Sequence, residues 1–586
     1  MAVENLITEH IDIWTSAVKT KSTSGRGSSK KQELYGVKKL RELILELAVR
    51  GKLVPQDPND EPAAVLLERI ALEKAQLVKE KKIKKPKTLQ TLSPESLPRL
   101  PESWTWSYMQ DITEYVQRGK GPKYAEEGSV RVISQKCVQN SGFDIEPARY
   151  IEEESLVKYQ DERFLRENDL LWNSTGTGTV GRVNVLPSIK QKSLVADSHV
   201  TVVRPLIMNS RYIWCILMAP GVQARIDPFH EQSLVSGSTK QVELNTSSVV
   251  TLPIPVAPIA EQDRIVAKVD ELMELCDQVE QETEASIEAH QVLVTTLLDT
   301  LTHSADADEL MQNWARISEH FDTLFTTEES IDQLKQTILQ LAVMGKLVPQ
   351  DPSDEPAAEL LKRIAEEKAQ LVKEKKIKKH PAVEPIGELG DIPQSWERIV
   401  VQDFADIKLG STPSRHESKY WNGDIPWVSS GEVANNIIYD TNEKITHDGF
   451  MNSSTSIIPK RSLLMAIIGQ GKTRGQTALL EVDACTNQNV AAFIFNENFV
   501  IPEYVWLWAK SKYDAHRQGG HGGAQPALNA KKVRSFAFPL PPTSEQKKIV
   551  ERVEEIHSVC DHLAARLKEG QNTQIQLTDA IVGQVM

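Results

Sequence analysis

"GKLVPQDPNDEPAA" occupies Gly51–Ala64 and returns as "GKLVPQDPSDEPAA" at Gly345–Ala358. Extended to Gly51–Lys85 against Gly345–Lys379, the copy differs at four of 35 positions: Asn59/Ser353, Val65/Glu359, Glu68/Lys362 and Leu72/Glu366. The spacing is far longer than a solenoid period, so one large unit is built twice. The match continues on both sides. "LPESWTW" from Leu100 answers "IPQSWER" from Ile392, "EQDRIVAKVDELMELCD" from Glu261 answers "EQKKIVERVEEIHSVCD" from Glu545, and "EHID" at Glu9 answers "EHFD" at Glu319. Two tandem halves result, near 1–305 and 306–586. Each reads as short helix, charged helix, variable block, long helix. The blocks near 105–250 and 397–538 differ almost everywhere, which suggests one scaffold carrying two different readers.

Composition limits the function classes. The chain has 586 residues, 40% hydrophobic and 25% charged, enough for several soluble domains. No apolar run approaches a membrane span. The start, "MAVENLITEHIDIW", carries Glu4, Glu9 and Asp12 and does not read as a signal peptide. Five separated cysteines (137, 215, 276, 485, 560) without CxxC fit a reducing cytoplasm and oppose a zinc ribbon or disulfide framework. Net charge is −13, so bulk charge alone does not point to nucleic acid. The acid lies mainly outside the variable blocks: residues 105–247 hold 16 basic and 17 acidic side chains, and residues 398–534 hold 15 and 13.

The frames read as helices. Asp60 is an expected N-cap with Pro62 in the first turn, and Leu66, Leu67, Ile70, Leu77 and Val78 make the apolar stripe. The basic run Lys79–Lys85 reads as a solvated helix end, with phosphate contact as the alternative. After each block, Ile265, Val269, Leu272, Cys276 and Val279, and then Ile549, Val553, Ile556, Cys560, Leu563 and Leu567, step four and three. That spacing predicts a coiled-coil seam, the two helices packing on each other, with both cysteines as core residues. The blocks themselves alternate short β-rich runs with Gly, Pro, Ser and Asn. "DLLWNSTGTGTVG" from Asp169 lies against "SLLMAIIGQGKTRG" from Ser462, and "KQVELN" from Lys240 against "AQPALN" from Ala524. One fold with different surface loops is expected for both.

Two variable blocks, each entered by P-x-x-W and left by "PIAEQDRIV" (Pro258–Val266) or "PTSEQKKIV" (Pro542–Val550), resemble the specificity subunit of type I restriction-modification enzymes. "LGSTPSRHESKYWNGDIPWV" (Leu409–Val428) and "GGAQPALNAKKV" (Gly522–Val533) are similar to that family's opening and closing motifs. The first block departs from the opening motif, having no G-x-T-P. The resemblance covers nearly the whole chain. It implies an α+β protein: two mixed α/β target recognition domains separated by long helices packed as an antiparallel coiled coil, related by an internal pseudo-two-fold repeat. The implied divisions are a helical region at 1–99, recognition domains at 100–255 and 391–540, a central region with a spacer helix at 256–390, and a terminal helix at 541–586. It further implies a non-catalytic subunit, each domain reading one half of a split double-stranded DNA site. Two methyltransferase subunits and the motor-nuclease subunits would be its partners. S-adenosylmethionine, ATP and Mg2+ would belong to those partners, with no cofactor, metal or catalytic residue in this chain.

Loop chemistry supplies candidate DNA contacts: cations for phosphates, amides and hydroxyls for base edges. In the first block these are Lys120, Lys123, Tyr124, Ser134, Gln135, Lys136, Asn173, Ser174, Thr175, Thr177 and Arg182. In the second they are Thr412, Ser414, Arg415, Tyr420, Trp421, Gln470, Lys472, Thr473, Arg474, His521 and Gln525. Turn chemistry is the bland account of each, and Trp104, Trp396 and Trp427 read as core. "AIIGQGKTRG" has Ala466 where a phosphate loop needs Gly, and its continuation begins poorly as a helix. Two rival functions remain. One is a chain that methylates or cuts DNA itself, for which neither G-x-G-x-x-G nor N/D-P-P-Y/F is present. The other is a coiled-coil scaffold that binds only proteins, which gives no reason for two unlike blocks.

Overall fold

A computed structural model describes residues 7–21, 31–92, 97–157, 159–176, 178–238, 241–305, 307–387, 389–469, 473–518 and 528–585. The chain forms two compact units. Of the described residues, those up to 285, together with 571–585, make the first, and those from 286 to 570 make the second. The boundary of the sequence repeat near residue 305 falls within the second of these units.

In the first unit, helices Tyr35–Val49 and Ala63–Lys79 precede the variable block. The block carries an antiparallel sheet in the order Val183–Val185, Leu170–Asn173, Val200–Pro205, Thr113–Arg118. A second sheet runs Leu194–Ala196, Arg131–Ile133, Arg149–Ile151, Tyr124–Ala125, its first pair parallel. Leu171, Val200 and Val202 from the first sheet share a core with Ile133, Leu194 and Ala196 from the second. Thr105–Tyr108 pairs with Pro253–Val256, bringing entry and exit side by side. The long helix Ile259–His303 follows.

The second unit repeats this plan. Its larger sheet runs Asp406–Leu409, Val490–Ile494, Leu463–Ala466, Thr477–Leu480, Asn436–Ile438, and its smaller one Glu443–Ile445, Trp421–Val428, Cys485–Thr486. The strand order matches the first block, with Asn436–Ile438 added at one edge of the larger sheet and, among the described strands, no counterpart of Tyr124–Ala125 in the smaller one. Glu397–Val400 pairs with Ala537–Leu540 at entry and exit. The long helix Thr543–Val585 then runs from this unit to residues that belong to the first. The two blocks are one α/β fold, as their faint alignment predicts.

The recurring motifs meet in space. Trp104 Nε1 donates to Glu261 Oε2 at 2.9 Å, and Gln56 Nε2 donates to the other carboxylate oxygen. In the second unit Trp396 donates to Glu545 at 2.9 Å and Gln350 completes the pair. Burial pushes both carboxyls above the usual carboxylate range, while the Trp and Gln donors oppose the shift. Gln262 and Gln546 are fully buried. They bind the carbonyls of Ala257 and Pro541 and receive the backbone N–H of Asn209 and Ile501. Gly51 and Gly345 turn with φ of 64° and 71°, close against Pro101 and Pro393. One polar knot thus ties the repeated turn, the P-x-x-W entry and the E-Q exit in each unit. An unmade bond in such a buried group costs about 1–3 kcal/mol.

Asp60 is not the expected N-cap. Pro62 takes that position without a side-chain cap, and Asp60 instead binds Arg264 of the long helix at 2.6 Å. Seam residues Ile265, Val269, Leu272 and Cys276 are buried, as are Ile549, Val553 and Cys560. Within the second unit Val294, Leu298 and Leu301, from the end of the first long helix, share a core with Ile549, Val553 and Cys560. Equivalent ion pairs secure the preceding helix to each seam: Arg41 to Asp277 at 2.5 Å, and Lys335 to Asp561. Among the described residues no helix is long and apolar enough to cross a membrane.

Candidate nucleic-acid interface

In the first block, four loops leave the sheets at the same edge. They follow Thr113–Arg118, Arg131–Ile133, Leu170–Asn173 and Leu194–Ala196. Gly119 lets the first run over the fourth: a Cβ there would lie 2.2 Å from the Asp197 carbonyl oxygen. Lys120 N–H then donates to the Ala196 carbonyl at 3.0 Å. Asp197 is buried, which raises its pKa against the opposing bond from the His199 N–H at 2.7 Å. That turn presents His199, whose Nδ1 lies 2.6 Å from Thr175 Oγ1. Thr175 also reaches Gln135 Oε1 at 3.5 Å. Lys120, Gln135, Thr175 and His199 therefore converge, with exposed Lys136 on the same loop as Gln135. The hairpin Val235–Ser238 and Gln241–Leu244 borders them, Glu243 pairing with Arg118 and bridging to Thr175.

The remaining candidates of this block divide. Asn173 and Ser174 are fully buried, which corrects their reading as contact residues. Asn173 Nδ2 braces the carbonyls of Gln135 and Val138, both at 3.1 Å, and Ser174 Oγ lies 2.6 Å from Thr201 Oγ1. Ser134 caps a short turn by accepting the Lys136 N–H. Arg182 is held by Gln139 Oε1 at 2.6 Å and the Gly178 carbonyl at 2.7 Å. Tyr124 is exposed beneath the Arg149 guanidinium, 3.9 Å from ring centre, and Lys123 lies 3.8 Å from Glu152. Thr177 lies outside the described residues.

The second block builds the corresponding edge with other side chains. Gly410 allows the chain past Thr486, whose carbonyl oxygen would sit 1.8 Å from a Cβ. Ser411 N–H donates to that carbonyl at 2.9 Å, as Lys120 does in the first block. Asn487 makes the turn that Asp197 makes, accepting the Asn489 N–H at 3.0 Å. Gln488 is exposed there and accepts from Thr412 at 2.6 Å. Arg415 stacks over Trp421 at 3.7 Å and pairs with Glu443, holding that carboxyl below its usual range. Trp421 meets Trp427 edge to face at 5.1 Å and donates to the Ser414 carbonyl, and Tyr420 carries the Thr446 N–H on its own carbonyl. The G-x-T-P and Y-W motifs are thus largely braces that hold the loop bearing Thr412. Arg474 and Arg517 exchange bonds to each other's carbonyls. Thr473 is half-buried beside them; Gln470, Lys472, His521 and Gln525 lie outside the described residues.

Leu463–Ala466 leads into Thr477–Leu480 as an antiparallel pair, so a strand follows the G-K-T stretch where a phosphate loop needs a helix. Among the described residues no group of three His, Cys, Asp or Glu could hold a metal ion. Trp104, Trp396 and Trp427 are buried, as expected of core. His199, Gln488 and Asn489 stand on the same edge and are not among the candidates the sequence offers. Their signal is an Asp or Asn three residues before a buried strand, Asp197 before Val200 and Asn487 before Val490, a turn that aims the following side chains outward.

The family model for the type I restriction modification DNA specificity domain matches residues 101–289 and 393–571. The type I restriction enzyme EcoAI specificity subunit of Escherichia coli is 39% identical over 602 aligned positions, covering 99% of each chain. The EcoEI specificity subunit of the same organism is 39% identical over 608, again covering 99% of each. A chain in a solved type I R-M system assembly superposes with a TM-score of 0.50 at 14% identity, covering 83% of this chain and 99% of that one.

Proposed function

The chain belongs to the type I restriction-modification specificity subunits, recognition components without catalysis of their own, and from that premise we propose that each variable block reads one half of a split DNA sequence. The observation that carries this reading is that one fold occurs twice with unlike polar loops at the same edge. Lys120, Gln135, Thr175 and His199 stand where the other block offers Thr412, Gln488 and Asn489. Amides and hydroxyls on loops fixed from beneath suit base edges, and flanking Lys and Arg suit phosphates. The joining helices set the distance between half-sites. Two methyltransferase subunits dock on the doubled frame and methylate adenine with S-adenosylmethionine. Motor-nuclease subunits add ATP- and Mg2+-dependent cleavage.

The test is to purify the chain with and without methyltransferase subunits and map methylated adenines on genomic DNA. The complex is expected to modify one bipartite sequence, and the chain alone nothing. Methyl transfer by the isolated chain, or modification without a bipartite motif, would overturn the reading.

A further inference from the structure

Thr175 stands between two side chains that reach outward. Its Oγ1 lies 2.6 Å from His199 Nδ1 and 3.5 Å from Gln135 Oε1, the second a long contact for a hydrogen bond. Both neighbours are held from beneath. His199 N–H donates to buried Asp197 at 2.7 Å, and the Gln135 carbonyl receives Asn173 Nδ2 at 3.1 Å. Gly176, with φ of 100°, closes over the amide: a Cβ there would lie 2.9 Å from Gln135 Oε1. The other ends, Gln135 Nε2 and His199 Nε2, have no partner among the described residues.

A threonine hydroxyl carries a single proton. With Gln135 Oε1 turned toward it, that proton goes to the amide oxygen. The 2.6 Å contact on the other side then needs the imidazole's proton, so a neutral His199 carries it on Nδ1. Its Nε2 keeps a lone pair, while Gln135 Nε2 offers two hydrogens. Turning the amide and moving the ring proton to Nε2 would reverse every bond and only exchange the ends. Either way, one end donates and the other accepts. The second block differs. Thr412 hands its proton to Gln488 Oε1 at 2.6 Å, and among the described residues no imidazole joins them. Gln488 therefore presents donors alone.

We infer that Gln135 and His199 read an adenine in the half-site of the first block, with Thr175 as the positioning residue that keeps their polarities opposite. The pairing rests on the function proposed above and adds which base that edge takes. In the major groove adenine shows an acceptor, N7, beside a donor, N6. Guanine shows two acceptors, cytosine a donor and thymine an acceptor. Adenine is thus the single base whose edge answers a donor–acceptor couple in full. It is not the adenine that is methylated, since that base must leave the stack to react.

The test is methylome sequencing with the full chain and its methyltransferase subunits. Wild type is expected to require an adenine, besides the methylated one, at one position of one half-site. H199K replaces the accepting end by a donor. It should move that position from adenine toward guanine, changing the ratio of the two by about tenfold. T175V cuts the relay, so that either end turns freely, and should admit both purines. The other half-site is the control and should stay as it is in both variants. Unchanged base preference in both would overturn the inference. So would a uniform loss of modification with every preference kept, which is what a merely structural role gives, or a change in the other half-site. All these failures leave a bipartite motif standing. A wild-type complex without one fails the function proposed above, and this inference with it.

Discussion

His516 is an imidazole enclosed by rings. It stacks on Phe536 at 4.1 Å, meets Trp508 at 5.2 Å, and burial pushes its pKa down to about 3. The folded value lies below the unfolded one of about 6.5. Its contribution is therefore full above pH 6.5 and is lost as pH falls toward 3. Denaturant melts between pH 6.5 and 4.5 should show a slope of up to about 1.4 kcal/mol per pH unit from this group, and H516F should remove it. Equal slopes would show that the ring protonates without cost. Asn173 offers a second case. N173A leaves the Gln135 and Val138 carbonyls without their donor, at a cost of about 1–3 kcal/mol, readable in the same melts. Asn173 and Ser174 also mark where sequence reading stops. "NSTGTGT" announces a polar loop, but the strand extends through Asn173, and pairing with Val200 turns it inward. Polarity is legible in a single sequence; the side of the pleat that receives it depends on a partner strand 27 residues away.

At the scale of the element, the long helices were the most legible parts. Their four-three apolar steps fix a seam, and the repeat confirms it. Ile259–His303 spans 45 residues, about 67 Å at 1.5 Å per residue. If this helix is the ruler between half-sites, four residues inserted between Glu280 and Glu288 lengthen it by about 6 Å while nearly keeping the seam in phase. At about 3.4 Å per base pair, the nonspecific spacer should grow by one or two base pairs with both half-sites unchanged. Methylome sequencing reads this directly, and an active variant with its original spacer would remove the helix as the ruler. Asp60 in Asp-Glu-Pro-Ala-Ala has the sequence signature of a cap and is not one. Arg264, 204 residues away, claims it instead.

For the whole molecule, like frames around unlike blocks predict independent readers. Replacing residues 105–250 with the block of another family member should change one half of the modified sequence and leave the other intact; change in both halves would deny independence. The doubling and the shared block fold were visible in sequence, since repeats need no coordinates. The division into units was not. Each long helix begins among residues of one unit and ends among those of the other, so residues 571–585 complete the unit that holds residue 31. Tyr35 Oη donates to Asp579, 544 residues further along the chain, at 2.8 Å. This has a consequence in time. A ribosome adding about 5–20 residues per second needs roughly half a minute to two minutes between making the tyrosine and making its acceptor. Throughout that interval the first-made half waits without residues 571–585, and it closes only once they are translated. A prematurely terminated polypeptide therefore never acquires a finished amino-terminal body, whatever it has already folded.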